Sequence, residues 1–213
     1  MQQQQRRCLS GVTLSNLPPP PAVLQLGDPL LNLPSVDCDF ALQEHGSVPL
    51  QVVEAELHSA LVEFRRVNGF GRAISAPQIG HNVRMIACNL GRNAVHRPDS
   101  QPFTLCNPTV MWRDPNMFSL WDDCMSFPHL MVKVRRHASI SLEYFDAEGR
   151  RHEWNTLRAQ EAELLQHELD HLEGTLSVDR AINGKADVVP RADYLAEQAR
   201  YDAMVDYVIV PTL

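Results

Sequence analysis

"LLQHELDHLEG", residues 164–174, places two histidines four positions apart, with a glutamate directly after the first. Positions i and i+4 share one face of a helix, so His167 and His171 can bind one ion. Glu168 lies about 100° around the helix from the first histidine and about 60° from the second. The stretch therefore predicts a metal-binding helix whose carboxylate stands beside the metal, where it can act as general base. The alternative is a solvated helix with incidental histidines, because a zinc site uses at least three protein ligands.

A third ligand is available in "LWDDCMSFP" (120–128), where Cys124 follows two aspartates in a polar stretch. A thiolate is a soft, anionic ligand suited to zinc or ferrous iron, and a bound metal would keep it deprotonated. Together with the two imidazoles, it would form a sulfur–nitrogen–nitrogen set with one position open for water. An open position is typical of a catalytic site rather than a structural one.

Composition limits the class of protein. The 213 residues predict one domain with a substantial core, and no apolar run reaches the about 20 residues that span a bilayer. A net charge of −7 argues against nucleic acid as a partner, since proteins that bind it carry a basic surface. The five cysteines include no Cys-x-x-Cys pair, which predicts a reducing compartment. Cys88 and Cys106 lie in apolar runs and are interpreted as small buried side chains.

Periodicity predicts two main helices with strands between them. Apolar spacing predicts a helix over 49–68 with Val53, Leu57, Leu61, Phe64 and Val67 on its apolar face and Gly69 as its stop. A second helix is predicted from Thr156 to Leu172, ended by Gly174, and a surface helix within 191–208. β-forming runs predict strands at 83–90, 103–112, 138–145 and 152–155. Helices and strands do not alternate regularly, so an α+β fold is predicted.

Three segments together resemble peptide deformylase, the metallohydrolase that removes the N-terminal formyl group from nascent peptides. "GRAISAPQ" (71–78) is similar to the family pattern Gly-x-Gly-apolar-Ala-Ala-x-Gln, and "DDCMS" (122–126) to Glu-Gly-Cys-Leu-Ser. "QHELDH" (166–171) matches Gln-His-Glu-x-Asp-His. The resemblance covers roughly residues 24–182, with the motifs in the same order and at similar spacing.

The resemblance implies a single α+β domain with mixed or antiparallel sheets around a central metal-binding helix. Three regions are expected on this basis. Residues 1–22 would be a flexible or targeting tail, 23–190 a deformylase-like catalytic domain, and 191–213 a C-terminal helical extension.

The resemblance also implies roles for the matching side chains. Cys124 and the two histidines would bind one divalent metal ion, Fe2+ natively, with Zn2+, Ni2+ or Co2+ as substitutes. Glu168 would move a proton from the attacking water to the leaving amine. The side-chain amide of Gln78 and the backbone N–H of Met125 would stabilise the developing oxyanion. Gln166 and Asp170 would support the ligands or anchor the helix, or would be a packing amide and a surface acid.

Five positions are expected to border the substrate: Gly71, Arg72, Ala73, Asp123 and Glu163. Ala73 replaces a family glycine, and its methyl group would crowd the substrate backbone. Asp123 adds negative charge at the entrance. Arg72 stands where the family has an apolar residue in the formylmethionine pocket, and Glu163 lies one turn before the first histidine. Two interpretations are open: Arg72 and Glu163 pair and narrow or polarise the pocket, or both point to solvent.

The leading hypothesis is an active metal-dependent deformylase acting on N-formylated nascent peptides, at the ribosome and as a monomer by default. A divergent hydrolase with weak or altered N-acyl specificity is the second hypothesis. A non-catalytic metal-holding module that binds peptides is the third, although it would have no need for Glu168 or Gln78. An ordinary zinc peptidase fits the helix motif but not a cysteine ligand. Residues 1–22 hold two arginines and no acid, which favours a mitochondrion or another organelle over the cytoplasm.

Overall fold

Antiparallel sheets surround one central helix in the computed structural model, which describes residues 17–90 and 102–209. The strands are β1 (Glu44–His45), β2 (Val48–Pro49), β3 (Ala73–Ser75), β4 (Met85–Cys88), β5 (Phe103–Arg113), β6 (Met117–Asp122), β7 (Leu130–His137), β8 (Ser139–Phe145), β9 (Arg151–Arg158) and β10 (Val188–Pro190). The helices are α1 (Leu50–Asn68), α2 (Gln160–Leu172), α3 (Arg191–Ala196) and α4 (Gln198–Asp202). Most of the expected tail over 1–22, including Cys8, lies outside the described residues.

The sheets differ in size and meet at α2. One has five strands in the order β3-β4-β5-β8-β9, another has three in the order β10-β7-β6, and β1 pairs with β2. All of these strand pairs are antiparallel. α2 packs against β3 and β9 of the larger sheet and against β7 of the smaller one. This arrangement confirms the predicted α+β class with antiparallel sheets around a central helix.

α1 follows its apolar periodicity closely. It ends where predicted, at Gly69, which has φ 75° and donates its N–H to the carbonyl of Arg65 (2.9 Å). Four of the five residues on its predicted apolar face are buried. The fifth, Val67, is 63% exposed, because the last turn of the helix extends past the core. No helix among the residues described here combines the length and apolar character needed to cross a membrane.

α2 begins later than its sequence pattern predicts. The predicted start at Thr156 is wrong, because residues up to Arg158 continue β9 and pair with β8. This pairing places Leu157 in the core, fully buried, and Ala159 then turns the chain with φ 46°. Every residue from Glu161 to Leu172 is buried, so the helix runs through the interior. Its polar side chains must therefore find partners inside the protein.

The other elements were predicted in part. β4, β5, β8 and β9 lie where the β-forming runs predict them, and Cys88 and Cys106 are fully buried within them. The short or charged strands β3, β6, β7 and β10 were not predicted. The predicted surface helix within 191–208 is instead two short helices, because the backbone at Glu197 (φ −123°, ψ 35°) leaves the helical region.

The turn after α2 approaches the backbone of an early segment. Gly174 has φ 69°, and a Cβ atom there would lie 2.7 Å from the carbonyl carbon and oxygen of Asn32. The N–H of Ser35 donates to the carbonyl of Leu172 (2.8 Å), which holds this segment against the helix end. Gly69 has a similar φ, 75°, but faces open space.

Gly174→Ala is therefore expected to lower the free energy of unfolding by about 2–4 kcal/mol, through left-handed strain and a backbone clash. The matched control Gly69→Ala introduces only the strain and is expected to cost about 1 kcal/mol. Denaturant unfolding of both variants measures the difference. Equal losses of unfolding free energy in the two variants would show that the backbone at Asn32 shifts to accommodate the added methyl group without cost.

A buried histidine joins α1 to the larger sheet. Nε2 of His58 lies 2.9 Å from Oγ1 of Thr104 on β5, and the histidine is 1% exposed. Burial lowers the pKa of His58 from 6.5 to about 4. The ring thus stays neutral in the folded chain at pH values where the unfolded chain already binds a proton.

The stability that depends on this histidine is fully present above pH 6.5 and is lost as the pH falls toward 4. A shift from 6.5 to about 4 corresponds to about 3 kcal/mol. His58→Gln keeps a polar partner for Thr104 but cannot titrate. We expect the difference in the free energy of unfolding between wild type and variant to be constant above pH 7. Between pH 7 and pH 4, this difference is expected to change in favour of the variant by up to about 3 kcal/mol. Denaturant unfolding at several pH values measures it, and a difference independent of pH would contradict the prediction.

Candidate metal centre

Three buried donor atoms converge where the sequence motifs predict them to meet. Sγ of Cys124, Nε2 of His167 and Nε2 of His171 lie within 4.8 Å of one another. The sulfur is 3.3 Å from Nε2 of His171, and the two Nε2 atoms are 3.2 Å apart. Ligand atoms in a tetrahedral zinc site with ordinary bond lengths lie about 3.3–3.6 Å apart. The donor group therefore fits a divalent metal ion.

The helix that carries the histidines is fixed to the smaller sheet. Oε1 of Gln166 accepts a hydrogen bond from the N–H of His137 (2.9 Å), and its Nε2 donates to the carbonyl of the same residue (3.0 Å). This bidentate contact joins α2 to the end of β7. Gln166 thus anchors the helix, which was one of the two interpretations of this residue.

A buried carboxylate fixes the orientation of the first imidazole. Oδ2 of Asp122 accepts a hydrogen bond from Nδ1 of His167 (2.8 Å), so Nε2 is left to face the other donors. Burial alone would raise the pKa of Asp122, but His167 and Arg136 outweigh it and hold the pKa well below its usual range. The carboxylate is therefore charged.

The protonation of the rings suits a cation at this point. Burial lowers the pKa of His167, but Asp122 and the Cys124 sulfur outweigh burial and raise it well above its usual value. Burial and the neighbouring His167 hold the pKa of His171 well below its usual range, so that ring is neutral. Asp122 and the Cys124 sulfur therefore stabilise one positive charge on the cluster, that of protonated His167. A bound metal ion can supply this charge in place of the proton.

The carboxylate of Asp122 belongs to a larger buried ion network that the sequence analysis missed. Arg136 on β7 is 3% exposed and donates from Nη2 to Oδ2 of Asp122 (3.0 Å). Its Nη1 donates to Asp170 on α2, which also accepts two hydrogen bonds from Arg180 (both 2.6 Å). Asp170 is thus part of the support for the ligand helix and is not a surface acid.

A signal for the buried arginine was present in the sequence. Val132, Val134 and Arg136 alternate on β7 and all three are buried. A charged residue at an inward position of a strand requires a buried partner of opposite charge. The acidic run around Cys124 and the aspartate of the helix motif were the candidates.

A cavity of about 270 Å³ opens beside the donor group, and His167, Glu168, Gln78 and Met125 are among its lining residues. Glu168 is 2% exposed, and its Oε2 has no hydrogen-bond partner among the described residues. Burial raises the pKa of Glu168 to about 7, although His167 lowers it. A buried carboxyl without a full set of partners is suited to exchanging a proton with a molecule in the cavity.

The amide of Gln78 is held in one orientation. Its Oε1 accepts hydrogen bonds from the N–H (2.9 Å) and the hydroxyl (3.1 Å) of Ser75. The amide nitrogen therefore points the other way, where it donates to the hydroxyl of Ser126 (3.2 Å) and approaches Sγ of Cys124 (3.7 Å). A donor fixed beside the metal donors can stabilise negative charge on a substrate oxygen.

Four of the five residues expected to border the substrate line the cavity: Gly71, Arg72, Ala73 and Asp123. Glu163 is not among the lining residues; it is 1% exposed and lies behind Arg72. Nη2 of Arg72 donates to Oε1 of Glu163 at 2.6 Å, so the two side chains pair and neither points to solvent. Of the two interpretations of these residues, the pairing is the one observed.

The C-terminal segment supplies another wall of the cavity, which local sequence patterns did not indicate. Arg191, Tyr194, Leu195, Gln198 and Ile209 belong to this wall. Nη1 of Arg191 donates to Asp123 (2.9 Å), and its guanidinium group lies 3.7 Å from the ring centre of Phe70. The negative charge that Asp123 adds at the cavity entrance is therefore paired with Arg191.

Comparison with known proteins identifies the family of this chain. The polypeptide deformylase family matches residues 22–187. A peptide deformylase of Rickettsia typhi is 33% identical over 139 residues, which are 63% of this chain and 77% of that protein. The chloroplastic peptide deformylase 1B of Solanum lycopersicum is 28% identical over 216 aligned positions, covering 92% of this chain and 76% of that protein.

A solved structure is also similar over most of its length. It is a class I type b peptide deformylase from Acinetobacter baumannii with Met-Ala-Ser bound, at 26% identity and a TM-score of 0.63. The match covers 76% of this chain and 98% of that one. Because the family match extends over more than half of the chain, the chain belongs to the polypeptide deformylase family and is a hydrolase that removes the N-formyl group from nascent peptides.

Proposed function

We propose that the deformylation takes place in the cavity beside Cys124, His167 and His171, on peptides that begin with formylmethionine. One observation carries the assignment of this site. A buried sulfur–nitrogen–nitrogen donor group and the buried carboxyl of Glu168, whose Oε2 has no partner in the part of the chain that the structure describes, meet at the same cavity. Water attack on a formamide needs both an electrophilic centre and a proton acceptor within reach of each other.

The three donors are proposed to hold one divalent metal ion. A thiolate with two imidazoles suits borderline ions, and we propose Fe2+ as the native metal with Zn2+, Ni2+ or Co2+ as substitutes, following the family resemblance. Such an ion would polarise the formyl carbonyl and acidify a water molecule. Asp122 would keep Nε2 of His167 directed at the ion by accepting the proton on Nδ1.

Glu168 is proposed as the group that moves the proton. Its free Oε2 would accept a proton from the attacking water and deliver it to the amine nitrogen as the C–N bond breaks. The products are formate and a peptide with a free amino group. Gln78 would stabilise the oxyanion through its fixed Nε2, and the backbone N–H of Met125 would be its second donor.

The proposed substrate is the N-terminus of a nascent chain met at the ribosome. The Acinetobacter baumannii relative holds Met-Ala-Ser, the peptide that deformylation of a formyl-Met tripeptide would leave. A monomer is proposed as the default state. A non-catalytic peptide-binding module would have no use for a buried carboxyl with a free oxygen.

Formate release from formyl-Met-Ala-Ser, with protein loaded anaerobically with Fe2+, tests the proposal. Glu168→Gln is expected to lower kcat by at least about a hundredfold, because it removes the proton acceptor while the metal donors remain. Metal content, measured by mass spectrometry, is expected to stay near one ion per chain. Glu161→Gln is the matched control, since Glu161 is equally buried on α2 but does not line the cavity.

The donor set is tested in the same assay. Cys124→Ser is expected to lose both metal and activity, whereas Cys88→Ser, at another buried cysteine, is expected to keep both. Undiminished formate release by Glu168→Gln would contradict the proposed general base. Full metal content in Cys124→Ser would contradict the proposed ligand set.

We also propose that the protein works in a mitochondrion or another organelle. The chloroplastic relative from tomato, which aligns with 92% of this chain, supports an organellar enzyme, as does the acid-free composition of residues 1–22. A fluorescent protein placed behind residues 1–22 is expected to accumulate in an organelle. Uniform cytoplasmic fluorescence would favour the cytoplasmic alternative.

A further inference from the structure

A buried serine precedes the turn that carries Gln78. Ser75 is the last residue of β3 and is fully buried. A short 3₁₀ turn, Ala76–Ile79, follows it directly and places Gln78 at the cavity. The family pattern quoted above has an alanine at position 75, so the hydroxyl is a further departure from that pattern. A buried hydroxyl needs hydrogen-bond partners, and these partners indicate what the residue does.

The hydroxyl acts on the side-chain amide of Gln78. Oε1 of Gln78 accepts hydrogen bonds from the backbone N–H of Ser75 (2.9 Å) and from its hydroxyl (3.1 Å). A carbonyl oxygen accepts through two lone pairs, so Ser75 alone satisfies this acceptor. The last torsion of a glutamine side chain has only a broad preference of its own. The orientation of the amide is therefore set by its hydrogen bonds.

These bonds direct the amide nitrogen toward the proposed reaction centre. Nε2 of Gln78 donates to the hydroxyl of Ser126 (3.2 Å) and lies 3.7 Å from Sγ of Cys124. The main chain at Gln78 is fixed separately, because its carbonyl accepts a hydrogen bond from the N–H of Leu24 (2.8 Å). With the backbone held in this way, the side-chain torsions are the freedom that Ser75 restricts.

The same hydroxyl lies beside the proposed proton acceptor. Burial raises the pKa of Glu168 to about 7, and a hydrogen bond with the Ser75 side chain is among the contacts that lower it. α2, which carries Glu168, packs against both β3 and the turn that follows it. Ser75 thus lies between the two side chains assigned to proton transfer and to oxyanion stabilisation, Glu168 and Gln78.

We infer that Ser75 is a positioning residue for deformylation, whose hydroxyl holds the Gln78 amide with Nε2 directed at the oxygen of the formyl group. The hydroxyl contacts no reacting atom and acts through Gln78. A donor that is oriented beforehand stabilises developing negative charge without reorganising during the reaction. The inference rests on the proposed function, because it assigns Ser75 a part in that reaction.

Ser75→Ala removes the hydroxyl and leaves the backbone N–H bond to Gln78. The fold is expected to be kept, because the change only removes an oxygen at a position where the family pattern has alanine. In the formate-release assay with formyl-Met-Ala-Ser, kcat is expected to fall about fivefold, the effect of one neutral hydrogen bond. KM is expected to stay within about twofold, because the bond acts on the transition state.

Ser139→Ala is the matched control. Ser139 is also a buried serine, but its Oγ has no hydrogen-bond partner in the part of the chain that the structure describes. This variant is expected to keep the wild-type kcat. A wild-type kcat in Ser75→Ala would overturn the inference. If its free energy of unfolding were also lower, the serine would only stabilise the turn.

A second background tests whether Ser75 acts through Gln78. Gln78→Ala is expected to lower kcat by about a hundredfold, because it removes an oxyanion donor. Adding Ser75→Ala to this variant is expected to change kcat by less than about twofold, since no amide is left to hold. A fivefold loss in both backgrounds would overturn the inference, because the serine would then act on some other group.

A measurement without turnover separates this inference from the proposed function. In zinc-loaded protein labelled with 15N, the side-chain amide signal that disappears in Gln78→Ala belongs to Gln78. Its NMR order parameter is expected to be lower in Ser75→Ala than in wild type. This decrease, with no formate released by wild type, would contradict the proposed function and support the positioning of Gln78 by Ser75. Formate release with equal order parameters would support the proposed function and overturn the inference.

Discussion

The hydrogen bond from Nδ1 of His167 to the carboxylate of Asp122 is the contact on which the rest of the site depends. It fixes which nitrogen of the imidazole faces the cluster and therefore whether the thiol of Cys124 and the two rings can share one ion. The carboxylate can remain charged in the interior because Arg136 donates to the same oxygen, Oδ2. Arg136 thus supports the candidate metal centre through Asp122, although it contacts none of the three donor atoms.

This requirement explains how a polar helix can be buried. α2 carries acids, an amide and two imidazoles, and three of these side chains bond groups supplied by other elements. Gln166 bonds the backbone of β7, Asp170 bonds Arg136 and Arg180, and Glu163 bonds Arg72. Removing one partner from any of these pairs would leave an uncompensated polar group in the interior. The helix is therefore held rigidly, as a set of metal ligands must be.

The departures from the family motifs come with their own partners. Arg72 stands at an expected apolar position and pairs with Glu163. Asp123 stands at an expected glycine and pairs with Arg191, which lies beyond the matched family region 22–187. Each new charge is therefore balanced, and the changes lie on the cavity wall rather than among the donors. The C-terminal segment consequently belongs to the cavity and not only to the surface.

The sequence by itself determined the features that depend on local spacing. These are the span of α1 and its stop at Gly69, the shared face of His167 and His171, and the α+β class, because each follows from short-range periodicity or backbone preference. The polar context of Cys124 indicated the third donor, and the motif resemblance agreed with it. Only the tertiary structure decided the contacts between distant segments. The start of α2 was set by strand pairing, and the role of Arg136 by acids far away in the chain. The far wall of the cavity came from residues 191–209, since burial and ion pairing join segments whose separation no local pattern encodes.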